Sequence, residues 1–156
     1  MLLPIVIYPD PRLQLKTETM RDALGVGLAA IQIGEPIRMM VMDVHYDQED
    51  RGESLALCNP VVLQEEGTDL SEEGCLSIPD LREEVERALK VKVKGQLLDG
   101  TEGTFEFEGL LARCVLHEID HMNGQLFIQK IPAIKRMFLK KRLDQLKKNY
   151  KESVRL

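Results

Sequence analysis

The chain has 156 residues, with 44% hydrophobic and 30% charged residues and a net charge of −5. This describes one globular domain with a real core and excludes a low-complexity or collagen-like chain. Aromatics make up only 4% and Trp is absent, which argues against a base-stacking platform for single-stranded nucleic acid.

The start, Met1-Leu2-Leu3-Pro4-Ile5-Val6-Ile7, has no basic segment and carries Pro4 inside its apolar run, so a secretory signal is not expected. No stretch reaches the ~18 apolar residues of a membrane helix. Tyr8-Pro9-Asp10-Pro11 reads as a turn, because each Pro fixes φ and restricts the residue before it. Residues 22–32 read as a short helix or turn loosened by Gly25 and Gly27. Residues 37–45 read as a buried strand, and Leu55–Leu63 as a second strand broken at Asn59-Pro60. Between Glu84 and Leu98 the chain alternates. Val91, Val93 and Gly95 face one way and Lys90, Lys92 and Lys94 the other, giving a half-buried strand. Asp99-Gly100 supplies hairpin-turn chemistry, and Thr104–Glu108 is the return strand with Phe105 and Phe107 on one face. Gly109–Asn123 reads as a helix closed by Asn123-Gly124. A final helix begins near Pro132, with Leu139, Leu143, Leu146 and Tyr150 along one stripe. The fold class is α+β: antiparallel strands around a central helix, with a C-terminal amphipathic helix. The chain reads as a single domain over 1–156, of which 129–156 is the basic helix.

Charge is unevenly placed. Residues 130–156 hold ten Lys/Arg and two acids, whereas residues 1–129 hold eleven basic and twenty-four acidic residues. The body is acidic and the tail basic; the tail reads either as the solvated face of an amphipathic helix packed by its Leu stripe or as a surface that docks on a polyanion. The three cysteines, Cys58, Cys75 and Cys114, are an odd number. That speaks against a secreted disulfide framework and for reduced thiols in the cytoplasm.

The sharpest chemical signal is His117-Glu118-Ile119-Asp120-His121. Residues four apart on a helix share a face, so two imidazoles reach one cation while Glu118 lies beside them to work on water. A catalytic metal takes a third protein ligand. Cys75, in Glu73-Gly74-Cys75-Leu76-Ser77, is the best candidate, with Gly74 permitting close backbone approach. Cys58 and Cys114 read as small buried residues. Gly25-Val26-Gly27-Leu28-Ala29-Ala30-Ile31-Gln32 lacks the spacing of a dinucleotide fingerprint. It reads either as a loop-to-helix junction or as a close-approach backbone edge with a side-chain amide donor at Gln32. Asp120 reads as a solvated acid or as a partner for an imidazole or an internal Arg.

Taken together, GVGLAAIQ (Gly25–Gln32), EGCLS (Glu73–Ser77) and HEIDH (His117–His121) resemble the three ordered motifs of the peptide deformylase family. The resemblance runs from Pro9-Asp10-Pro11-Arg12-Leu13 to the final helix. It implies a hydrolase that removes the N-formyl group from formylmethionyl nascent polypeptides. It implies one divalent metal held by Cys75, His117 and His121, with a water in the fourth place and Glu118 as general base and acid. The family commonly uses Fe(II), with Ni, Co or Zn as alternatives. The Gln32 amide and the Leu76 backbone N–H would face the oxyanion. Val26, Gly27 and Gly74 would lie along the substrate peptide, and Arg113 near the pocket for the methionine side chain. The basic C-terminal helix would dock on the ribosome; neither DNA nor membrane is an expected partner.

Three departures from the family pattern stand out. Residues 13–24 leave little room for the helix usual there. Arg113 replaces an apolar residue. Leu116 and Ile31 stand where Gln and Pro are common. Arg113 and the short 13–24 stretch motivate one rival, a deformylase-like paralogue that binds N-terminal peptides with weak or no turnover; the helix motif by itself allows another, a zinc-type peptidase using His117, Glu118 and His121.

Overall fold

A computed structural model describes residues 25–45 and 54–153. The expected Tyr8–Pro11 turn, the character of the leading segment and the expected shortening over 13–24 lie outside the described residues.

A five-stranded antiparallel sheet is built from β1 (Gly27–Ala29), β2 (Met39–Asp43), β3 (Ser54–Glu66), β6 (Lys90–Gln96) and β7 (Glu102–Glu108), in the order β1-β2-β3-β6-β7. A separate hairpin pairs β4 (Asp69–Cys75) with β5 (Ile78–Arg87). Two helices follow, α1 (Leu110–Met122) and α2 (Ala133–Ser153). The architecture is α+β, as the sequence predicts.

Between the sheet and the hairpin lies α1. Met40, Met42, Leu57, Val91 and Val93 of the sheet pack on Ala112, Cys114, Val115, Leu116 and Ile119 of the helix. On the far side, Ile78, Leu81 and Val85 of the hairpin form a second core with Phe127 and Ile131, joined by Leu139, Leu143 and Leu146 of α2. A helix covered on two sides is buried nearly all round, which explains why even Arg113, His117, Glu118 and His121 are inaccessible. Any polar side chain on α1 must therefore find a protein partner or a ligand.

Four local expectations change. Within the segment read as a short helix or turn, Ala30–Ile33 is a 3-10 turn, but Gly27–Ala29 is an edge strand, because β1 pairs with β2 through Leu28↔Val41. The break at Asn59-Pro60 is a bulge within one long strand: Asn59 takes φ 50° and the register shifts between Cys58 and Val61. The 84–98 segment divides at Ala88-Leu89 between β5 of the hairpin and β6 of the sheet. Tyr150 leaves the α2 stripe and is 68% exposed, since the hairpin core ends near Leu146. The β6–β7 turn is as read: Gly100 has φ 87°, and the Thr101 N–H donates to Asp99 Oδ1 at 2.8 Å.

Candidate metal centre

The side chains of the centre come from two supports, the β4–β5 hairpin and α1. Cys75 ends β4 at the tip of the hairpin, paired with Ile78 across the Leu76-Ser77 turn. His117 and His121 project from one face of α1. The structure brings all three together: Cys75 Sγ lies 3.2 Å from His121 Nε2, and the two histidine Nε2 atoms are 3.1 Å apart. The three donor atoms all fall within 4.8 Å of one another.

The donor set fits a cation. A tetrahedral ion with metal–nitrogen distances near 2.0–2.1 Å and a metal–sulfur distance near 2.3 Å requires donors about 3.3–3.6 Å apart. A thiolate and two imidazole nitrogens aimed at one point repel unless a positive charge lies between them. Either protons or a cation can supply that charge. Burial disfavours the Cys75 thiolate, but the hydrogen bonds and charges of His117 and His121 outweigh it and bring Cys75 down to about 6. Burial likewise opposes the His117 cation, yet Cys75, Glu73 and Glu118 carry it up to about 10. A divalent ion replaces those protons and satisfies the same lone pairs.

Glu118 sits beside these three candidate ligands, 3% exposed. Its Oε2 is buried without a hydrogen-bond partner among the described residues. Burial, with help from the Cys75 charge and against the pull of His117 and His121, raises its carboxyl to about 7. Such a group exchanges protons near neutrality.

β1 passes close over this helix. A Cβ on Gly27 would lie 2.4 Å from Cys114 Sγ and 2.8 Å from Glu118 Oε1, so only glycine permits this approach. Val26 precedes it, its carbonyl accepting from the Asp43 N–H at 2.8 Å. Past Ala29 the chain turns and Gln32 folds back. Gln32 Oε1 accepts from the Ala29 N–H at 2.8 Å. This aims Nε2 at the centre, 3.1 Å from Ser77 Oγ and 3.7 Å from Cys75 Sγ. Leu76 begins the hairpin turn next to Cys75 and is 44% exposed. Gly74 lies against Arg82, whose Cγ would be 3.2 Å from an added Cβ.

Behind these residues lies an ion cluster of Glu73, Arg87 and Arg113 that no sequence motif displays. Glu73 is 5% exposed and both its oxygens are used twice. Oε1 accepts from His117 Nδ1 at 2.6 Å and from Arg87 Nη2 at 2.7 Å. Oε2 accepts from Arg87 Nε at 3.1 Å and from Arg113 Nη1 at 3.0 Å. Burial opposes the Glu73 charge, but His117 and Arg87 dominate and hold it ionised, down to about 2. A carboxylate on Nδ1–H fixes the tautomer that leaves Nε2 free to ligate. Asp120 adopts the internal-Arg alternative, accepting from Arg87 Nη1 at 2.6 Å.

The Arg113 guanidinium does not reach solvent. It is enclosed between α1 and the hairpin, because Glu73, Asp69 and the Val85 carbonyl compensate it there. A signal for the cluster was available. Leu81, Glu83, Val85 and Arg87 alternate along β5, and an Arg in register with inward-facing Leu and Val marks a buried partner.

The model of the polypeptide deformylase family matches residues 13–137 of this chain. A peptide deformylase of Acidobacterium capsulatum is 42% identical over 166 residues, covering 95% of this chain and 97% of that protein. One from Rhizobium meliloti is 44% identical over 164 residues, covering 93% and 94%. The crystal structure of peptide deformylase from Thermus thermophilus superposes with a TM-score of 0.85 at 39% identity, covering 97% of this chain and 90% of that one.

Proposed function

The chain belongs to the peptide deformylase family and is a metal-dependent hydrolase that removes N-formyl groups from nascent polypeptides; we propose that Cys75, His117 and His121 hold its metal and that Glu118 moves the protons. The observation that carries this reading is the convergence of three donor atoms beside a buried carboxylate oxygen that lacks a partner.

A divalent cation held there supplies Lewis acidity, which acidifies water and polarises the formyl carbonyl. Glu118 takes the proton of the attacking water at Oε2 and delivers it to the departing amine nitrogen. Gln32 Nε2 and the Leu76 N–H donate to the oxygen that gains charge; losing one such donor typically costs about 10²–10³ in rate. The Ala29 N–H holds the Gln32 carbonyl and so presets its amide. Among the described residues β1 pairs only with β2, so the edge carrying Val26 and Gly27 is open to a substrate chain laid down as an added strand. Gly74 keeps the hairpin tip close to that path.

For the metal, Fe(II) is our choice; Ni, Co and Zn suit the same N/S donors. The three cysteines are free, which suits the reducing cytoplasm. Among the described residues no helix is long and apolar enough to cross a membrane. The solvent face of α2 carries Lys140, Lys141, Lys147 and Lys148, and we assign it to ribosome docking. Charge reversal at Lys141 and Lys148 should weaken ribosome association and spare small-peptide turnover; unchanged association refutes the docking role.

The decisive experiment is formate release from formyl-Met-Ala-Ser under anaerobic Fe(II). Glu118→Gln should retain metal and lose about 10²–10⁴ in rate. Equal rates for the two proteins would overturn the assignment.

A further inference from the structure

Arg113 is part of the ion cluster behind the proposed metal ligands. It is 4% exposed, and its two terminal nitrogens meet four acceptors. Nη1 donates to Glu73 Oε2 at 3.0 Å and to the Val85 carbonyl at 2.8 Å. Nη2 donates to the Asp69 carbonyl and to Asp69 Oδ2, both at 2.9 Å. Arg113 stands one helical turn before His117, so both side chains reach Glu73 from the same face of α1.

The division of Glu73 between them is informative. His117 Nδ1–H uses Oε1, while Arg113 uses Oε2. A carboxylate anchored through one oxygen pivots about that contact. Arg87 spans both oxygens, but its Nη1 is drawn to Asp120. Arg113 adds a second restraint on Oε2, fixed from two directions by the Val85 and Asp69 carbonyls. A clamped Glu73 leaves Oε1 in one place, and the imidazole bonded to it keeps one plane. That plane points His117 Nε2 at His121 Nε2 and Cys75 Sγ.

We propose that Arg113 is a positioning residue for the metal centre: by clamping Glu73 it fixes His117 as a ligand, and its loss releases the cation without changing substrate selection. The proposal rests on the ligand assignment of Cys75, His117 and His121. Outer partners of this kind typically contribute about 10–100-fold in metal affinity.

The test loads the full chain with Co(II) and follows loss of the thiolate–Co(II) absorption in excess chelator. Arg113→Leu should release the ion about 10–100-fold faster than the parent. Arg113→Lys should recover part of the retention, because an ammonium still reaches one Glu73 oxygen. Asp69→Asn weakens the outer anchor of Arg113 but keeps the bond to Glu73. It should lower the melting temperature and leave the release rate as in the parent. At saturating metal, KM for formyl-Met-Ala-Ser should stay unchanged in all three. Parent-like release from Arg113→Leu overturns the proposal. So does equally fast release from Asp69→Asn, which would reduce Arg113 to a tie between α1 and the hairpin. A raised KM with unchanged release would return Arg113 to the substrate pocket. If Arg113→Leu does not fold, Arg113→Lys and Arg113→Gln carry the comparison, and parent-like release from both is the overturning result. Should the parent show the same Co(II) spectrum as Cys75→Ala, the ligand assignment itself is wrong and the inference falls with it.

Discussion

Gly27 offers the most direct test of how the fold positions the centre. An added Cβ would stand 2.4 Å from Cys114 Sγ and 2.8 Å from Glu118 Oε1, where ordinary contact begins at 3.4 Å. Restoring ordinary contact takes a retreat of about 1 Å at the sulfur and about 0.6 Å at the carboxylate oxygen. Cys114 is buried on α1 and packed against the sheet, so its sulfur has little room. Glu118 is 3% exposed and equally confined. In Gly27→Ala either β1 lifts from the helix or the carboxylate is displaced. Overpacking of this kind costs about 1–3 kcal/mol, which for a domain of this size lowers Tm by roughly 3–10 °C. A misplacement of a reacting group by about 1 Å costs about 10²-fold in rate, so the smaller shift at Glu118 should cost up to about that. Pairing the change with Cys114→Ala separates the two contacts. The double variant removes the sulfur clash and should regain stability relative to Gly27→Ala, while the clash with Glu118 keeps kcat low. Calorimetry and formate release on the four proteins form a double-mutant cycle. Additive stabilities, or parent-like kcat in Gly27→Ala, would refute the claim that this glycine exists for the approach of β1 to Glu118.

Two further outcomes follow from other parts of the molecule. Phe127 is 1% exposed, lies under the hairpin core and stacks on the His117 ring at 6.1 Å; Phe127→Ala should cost about 3–5 kcal/mol in urea unfolding, and a loss below about 1 kcal/mol would show that the hairpin core does not depend on it. In the β6–β7 turn, the Thr101 backbone N–H, with smaller help from its side chain, holds the Asp99 carboxyl below its ordinary value of 3.8. Its folded pKa is thus below its unfolded one, so this contact is complete above pH 3.8 and is lost as pH falls through the lowered value; an NMR titration midpoint at or above 3.8 would refute it.

Much of the fold was legible because its signals are local. The alternation of Val91, Val93 and Gly95 against three lysines is a one-face pattern, and the observed burial follows it. Asp99-Gly100 specifies its turn chemically. The segment before β6 was harder. Ala88-Leu89 carries no Gly or Pro, so nothing local marks where one sheet ends and the other begins. Likewise the 3-10 turn after β1 looks helical over four residues; only pairing with β2, a long-range contact, makes the preceding three residues a strand.

At the proposed metal centre, the sequence displays the candidate ligands more clearly than it displays what supports them. Cys75, His117, Glu118 and His121 stand in short motifs whose spacing is itself the geometry, a helical turn or a tight hairpin tip. Their supports are scattered. Glu73 is two residues from Cys75, but Arg87 reaches it from β5 and Arg113 from α1. No spacing rule joins positions 73, 87 and 113; only the sandwiching of α1 between sheet and hairpin does. The same sandwich decides the fate of Arg113. On a helix with one solvated face, a long cationic side chain snorkels outward and charges whatever groove it meets. On a helix buried nearly all round, that exit is closed, and an uncompensated guanidinium would cost several kcal/mol. The chain can carry Arg113 only because Glu73, Asp69 and the Val85 carbonyl already face it. Its tolerance is thus tied to the carboxylate that orients His117, and metal retention is the property through which a change at position 113 should be felt.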